Sequence, residues 1–148
     1  MTMTLSGTLL ADSTRPAVIA DLVRVVDAEL ADKKGLSGAA VKAAYSGVTK
    51  VVPDAVPKAA KRLLPDVARA LDPFWADFRT SGGHDFGAYL AGRGDEASAA
   101  LLAATDAKVG TTSRDVVQRT YRAFRGSAAA HVRAALPRLG AALQRHAS

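Results

Sequence analysis

Residues 63–89 read LLPDVARALDPFWADFRTSGGHDFGAY, and this stretch holds the only tryptophan of the chain and five of its eight aromatic residues: Phe74, Trp75, Phe78, Phe86 and Tyr89. Aromatic side chains bury the most apolar area per residue, so the spacing of these rings decides where a core can form. Leu64, Val67, Leu71, Phe74, Trp75 and Phe78 succeed one another at steps of 3, 4, 3, 1 and 3, the recurrence of one face of an α-helix. That phase runs unbroken across Pro65 and Pro73. An interior proline costs about 3 kcal/mol, which predicts nearly collinear helical pieces rather than one smooth rod. Ser81-Gly82-Gly83 then breaks the pattern. Phe86, Tyr89 and Leu90 predict a short helix capped by Asp85 and ending at Gly92 or Gly94.

The rest of the chain supplies material for helices around this spine. Alanine occurs 32 times, Ile19 is the only isoleucine and asparagine is absent, so the composition suits helices and is poor in the residues that strands favour. At 148 residues a single domain spanning 1–148 is expected. Leu5–Leu10 reads as a partial helical turn. A helix is predicted from near Pro16, capped by Ser13 or Thr14, with Ile19, Leu22, Val23, Val26 and Leu30 as its stripe; Lys33 and Lys34 suit its last turn and Gly35 ends it. Ser37 caps a second helix with the stripe Val41, Ala44, Tyr45, Val48 and Val52, closed by Pro53.

Val51-Val52-Pro53-Asp54-Ala55-Val56 is echoed by Leu63-Leu64-Pro65-Asp66-Val67-Ala68. Each copy reads as the end of one helical piece and the start of the next, but two copies do not make a solenoid. Asp95 is expected to cap a helix over 96–108 that Gly110 stops. Thr111, Thr112 and Ser113 are cap candidates for a long helix from about 113 to 135, with Val117, Tyr121, Phe124, Ala128, Val132, Ala135 and Leu139 as its stripe. Pro137 is expected to kink it before a terminal helix to about 146. The fold class is therefore all-α, an irregular bundle of five to seven helices with proline-punctuated central helices and a long basic C-terminal helix.

With no cysteine, disulfides, thiolate metal sites and a cysteine nucleophile are excluded. The N-terminal residues lack the pattern of a signal peptide, and no run approaches the roughly 20 apolar residues that span a bilayer, so a cytoplasmic location is expected. Abundant Ala, Arg and Val beside scarce Lys, Ile and Asn is what GC-rich coding tends to produce. In composition and general pattern the chain resembles small uncharacterised helical proteins of actinobacteria, a resemblance that carries over no functional residues.

The net charge of +6 is unevenly placed. Residues 1–110 hold 13 basic and 13 acidic residues, whereas residues 111–148 hold seven arginines and one acid, Asp115. Segregated charge makes a directional field that steers acidic partners. On an ideal helix Arg119, Arg122 and Arg133 fall within an arc of about 60°, with Arg114 and Arg125 nearer the apolar edge. Guanidinium groups suit carboxylates and phosphates, so this row is the candidate binding face, for an acidic protein surface first and for nucleic acid or an anionic membrane surface as alternatives. The plainer reading is a solvated face whose arginine stems cover apolar surface.

A second, lesser candidate is the turn Gly82-Gly83-His84-Asp85, where imidazole beside carboxylate suits a general base or half a metal site. Adjacent residues seldom point the same way, and a structural turn with Asp85 as cap explains it more simply. Lys42, Lys50, Lys58, Lys61 and Arg62 lie on amphipathic stretches over 37–62, the composition of helices that rest on anionic membranes, though a bundle helix with a wet face accounts for them too. Arg93-Gly94-Asp95 spells an adhesion tripeptide, but a helix stop and a helix cap account for it. No phosphate-binding glycine loop, nucleophile elbow, HExxH or other catalytic signature occurs, and no metal site or cofactor is implied. The expectation is a non-enzymatic cytoplasmic binding or adaptor protein acting through the C-terminal arginines, with helix-to-helix homodimerisation in keeping with the alanine content.

Overall fold

The computed structural model describes residues 4–32, 39, 42–43, 45–47, 49–50, 53–111 and 115–147, with the backbone alone at residues 55, 116, 117, 120, 124 and 127. The protein is an all-α helical bundle, and no strand occurs among the described residues. Six helices have both ends described: α1 (Leu5–Leu9), α2 (Arg15–Asp32), α3 (Ala55–Thr80), α4 (Phe86–Gly92), α5 (Gly94–Val109) and α6 (Asp115–Ala147). The described residues between 39 and 50 are helical as well. The expected stop at Lys33-Lys34-Gly35, the cap at Ser37, the stripe positions Val41, Ala44, Val48 and Val52, and the caps Thr112 and Ser113 lie outside the described residues, as do the side chains of Val117 and Phe124.

The aromatic stretch forms the core, as its spacing predicts. Leu64, Leu71 and Phe86 are fully buried, and Phe74, Trp75 and Phe78 nearly so. Trp75 meets Phe86 edge-on at 4.9 Å between ring centres, and Phe78 lies 5.2 Å from Phe86 and 5.6 Å from Tyr89. These are the offset and edge geometries that the ring quadrupole favours. Leu5, Leu9, Val18, Leu90, Leu101, Leu136 and Leu143 complete one cluster drawn from every bounded helix. The short α1 is held at both ends of its chemistry. Leu5 and Leu9 are buried, and the Asp72 carboxylate of α3 accepts from the Ser6 N–H and hydroxyl at 2.7 Å each, satisfying an N–H that the first helical turn leaves open.

Two expectations about proline are corrected. α3 is one 26-residue helix through Pro65 and Pro73, and α6 is one 33-residue helix through Pro137, with no separate terminal helix. The carbonyls that these prolines leave without an N–H belong to Lys61, Arg69 and Arg133, all exposed residues, so water can take the missing place. Apolar packing on the other face then holds the helical path. Only the first copy of the near-repeat breaks the chain, at Pro53-Asp54; the second continues between buried Leu64 and Ala68.

The turn after α3 follows the sequence closely. Gly82 takes φ +73°, a left-handed conformation that side chains resist. The Asp85 side chain then accepts from the Ala88 N–H at 3.0 Å as the cap of α4. Between α4 and α5 a single residue, Arg93, is non-helical, so α5 starts at Gly94 and Asp95 sits within its first turn beside Glu96 instead of capping it. The carboxylates still suit the positive end of the helix dipole. α6 crosses α4 at close range: a Cβ on Gly140 would stand 2.4 Å from the Gly87 Cα, and one on Gly87 would stand 2.3 Å from the Pro137 carbonyl oxygen.

Candidate functional site

The five arginines that sequence reasoning grouped on the last helix are in different surroundings. Arg114 lies outside the described residues. Arg125 grips Asp106 of α5 through Nε at 2.8 Å and a second guanidinium nitrogen at 3.0 Å, the two-pronged geometry that planar guanidinium favours. The Tyr121 hydroxyl donates to the same carboxylate at 2.5 Å. Arg125 first and Tyr121 second hold the Asp106 carboxyl below the usual carboxylate range. Burial, reinforced by that carboxylate, pushes the Tyr121 phenol up to about 12. Arg133 pairs with Asp95 and lies across the Cα of Gly94.

Arg138 and Arg145, beyond the expected kink, are engaged too. Arg138 binds Glu29 at 3.0 Å and also Asp32, both at the end of α2. Asp21, a buried residue of α2, accepts from Arg24 at 2.5 Å and pairs with His146 at 2.6 Å and Arg145 at 3.6 Å. The His146 contact is the largest of the effects that draw the Asp21 carboxyl below its ordinary range; burial opposes it, and Arg24 and Arg145 assist. Four described arginines of α6 therefore face carboxylates from α2 and α5. Arg119 and Arg122, one turn apart, are exposed, and no carboxylate among the described residues pairs with either.

His84 and Asp85 are both exposed, and the residues do different work. Asp85 caps α4. The His84 carbonyl accepts from Gln144 Nε2 at 2.9 Å while Gln144 Oε1 accepts from the Phe86 N–H at 2.9 Å, so one amide on α6 clamps the turn by its backbone. Two open depressions have been located, of about 350 Å³ beside Arg93, Asp95, Glu96 and Arg133, and about 460 Å³ beside Glu29, Asp32, Pro137 and Arg138; neither includes His84 or Asp85. Among the described residues no three His, Asp or Glu side chains are grouped to hold a metal ion.

Sequence reasoning took Arg93, which joins α4 to α5, only as part of a helix stop and did not foresee its contacts. Its guanidinium stacks 4.5 Å from the centre of the Phe74 ring and donates to the Tyr89 hydroxyl at 2.8 Å, Glu96 at 2.6 Å and Asp77 at 3.2 Å. The pairing with Glu96 and Tyr89 raises its pKa further above the ordinary arginine value and lowers that of Glu96. Phe74 and Tyr89 at opposite ends of the aromatic stretch were the available signal, since arginine seeks ring faces.

The cations Lys42, Lys50, Lys58, Lys61 and Arg62 are all exposed. On α3 the apolar face behind them is the core itself, so it is not available for insertion into a membrane. Among the described residues no helix is long and apolar enough to cross one. Comparison with known proteins adds a family: a family model for a family of unknown function, DUF6918, matches residues 5–147. The chain belongs to that family. No curated protein and no solved structure matches it. The DUF6918 match takes in α1 through α6, so the charged surfaces described above belong to the family domain and not to an appendage.

Proposed function

We propose that this DUF6918 protein is a cytoplasmic binding or adaptor protein that presents the outer face of the first half of α6 to an acidic protein surface. The observation that carries the reading is the contrast within one helix. Arg125, Arg133, Arg138 and Arg145 are matched by carboxylates of the same chain, while Arg119 and Arg122 stand exposed without one among the described residues. Beside them the exposed positions are small: Ala123, Gly126, Ala129 and Ala130. A partner helix can approach such a face closely and still reach the two guanidinium groups, which contribute orientation and on-rate more than raw affinity.

The test is the double change Arg119→Glu and Arg122→Glu, with folding checked by far-UV circular dichroism, followed by cross-linking and affinity capture from lysate of the source cell. The expected outcome is loss of the acidic partners captured by the unaltered protein. Capture of the same set by the folded double variant would overturn the reading.

A further inference from the structure

The chain's free positive charge is also found on a surface other than α6. α3 carries Lys58, Lys61, Arg62, Arg69 and Arg79 on its outer side, all exposed. At about 100° per residue they fall within an arc of about 100°, opposite the buried Leu64, Leu71 and Phe74, and the rise from Lys61 to Arg69 is about 12 Å. The acids of the same helix do not neutralise this row. Asp66 pairs with Lys108 at 3.1 Å, Asp77 with Arg93 at 3.2 Å, and Asp72 receives the Ser6 N–H and hydroxyl. Lys58 alone has a carboxylate beside it, Asp54 at 3.1 Å at the edge of the row. Lys61, Arg62 and Arg69 have none among the described residues.

We infer that this outer face of α3 is a docking surface for the phosphate backbone of duplex nucleic acid, contacted by Lys61, Arg62 and Arg69 without reading of sequence. Three observations select that occupant. A stretch of duplex about 12 Å long carries about seven phosphate charges, so all three cations can be engaged together. The exposed residues of α3 include no aromatic ring to stack on bases and no amide side chain to read adenine edges, and most polar contacts that proteins make to DNA go to its backbone. Nor does any large apolar side chain of α3 stand exposed; among the described residues Val26 of α2 is the exposed large hydrophobic. A protein interface would lack its apolar centre there. A lipid surface would gain only the screened attraction of the cations, with no apolar side chain to insert beside them. This inference is independent of the reading of α6.

The experiment measures binding of a fluorescently labelled random-sequence duplex by anisotropy from about 50 to 200 mM salt. Three phosphate contacts give a slope of log K on log salt of about −2.7, a loss of roughly 40-fold over that range. The triple variant Lys61→Gln, Arg62→Gln, Arg69→Gln alters only exposed side chains, and circular dichroism confirms its fold. It is expected to bind at least tenfold more weakly at low salt and with a slope near zero. The proposal is overturned by any of four results: no binding of the unaltered protein at about 50 mM salt; equal binding by the folded triple variant; loss of binding on changing Arg119 and Arg122 but not the α3 cations; or tighter binding to phosphatidylserine vesicles than to duplex, abolished by the triple change.

Discussion

α3 and α6 are both long, both continuous through prolines and both rich in cations, yet they are fastened to the molecule in different ways. α3 is held by large rings: Phe74, Trp75 and Phe78 lie in the core, and among the described residues its outer cations touch nothing of opposite sign apart from Lys58. α6 buries no aromatic ring among its described side chains; besides Leu136 and Leu143 in the core, it is held by close backbone approach at Gly140 and by carboxylates of α2 and α5. Five of the 13 acids of residues 1–110, namely Asp21, Glu29, Asp32, Asp95 and Asp106, are drawn to the arginines and histidine of α6. The balanced part of the sequence is thereby left with cations that no described carboxylate covers, and Lys61, Arg62 and Arg69 of α3 are among them. Charge segregated along a chain is not charge segregated in space, because pairing redistributes it.

The largest expected effect breaks the α3 side. Trp75→Ala removes a nearly buried indole that contacts Phe78 and Phe86, and large aromatic truncations cost about 3–5 kcal/mol. For a chain of this size that corresponds to a melting temperature lower by about 10 °C, read by thermal circular dichroism. A loss under about 1 kcal/mol would show that the rings do not anchor the helix. On the α6 side the comparable change is an addition. Gly140→Ala gains about 1 kcal/mol of helix propensity but forces a methyl group to 2.4 Å from the Gly87 Cα, and overpacking of this kind typically costs about 1–3 kcal/mol. Gly126 sits in the same helix with nothing within 4 Å of an added Cβ. Gly126→Ala is therefore expected to raise the melting temperature and Gly140→Ala to lower it; a rise in both would remove the close crossing from the account.

This contrast also marks what the sequence made legible. The phase of Leu64 through Phe78, the break at Gly82 and the cap at Asp85 are local, set by residues within a turn or two of one another, and all could be read directly. The continuity of α3 and α6 could not. Whether a proline breaks a helix depends on whether the freed carbonyl faces water and whether apolar packing holds both sides, and neither is written nearby. The arginine partners were hidden for a stronger reason: Arg138 and Glu29 are 109 residues apart, and Asp21 and His146 are 125 apart. The mutual contact of Gly87 and Gly140 is likewise written in neither local sequence. Of the candidate site, sequence reading identified the helix but not which of its guanidinium groups would remain exposed.

The charge on Asp21 sharpens the polar side of the comparison. Asp21→Asn keeps the shape of a buried side chain that receives Arg24, Arg145 and His146, and removes its charge. At neutral pH the cost is about 2 kcal/mol, because a largely desolvated carboxylate with several donors is worth more than an exposed pair, while the exposed arginines soften the loss. The folded carboxyl is held below its unfolded range, chiefly by His146, so its contribution is present above about pH 4 and is lost as the pH falls through the lower folded value. Urea denaturation of the two proteins should give a gap at about pH 5 that closes as the solution is taken below about pH 4. α1 carries no titratable side chain, and α3 contributes none to the surroundings of Asp21, so a closing gap reports this carboxylate and its α6 partners. A gap that persists unchanged to about pH 2 would mean that Asp21 holds α6 by shape and neutral hydrogen bonds, and the attachment of that helix by charge would lose its strongest case.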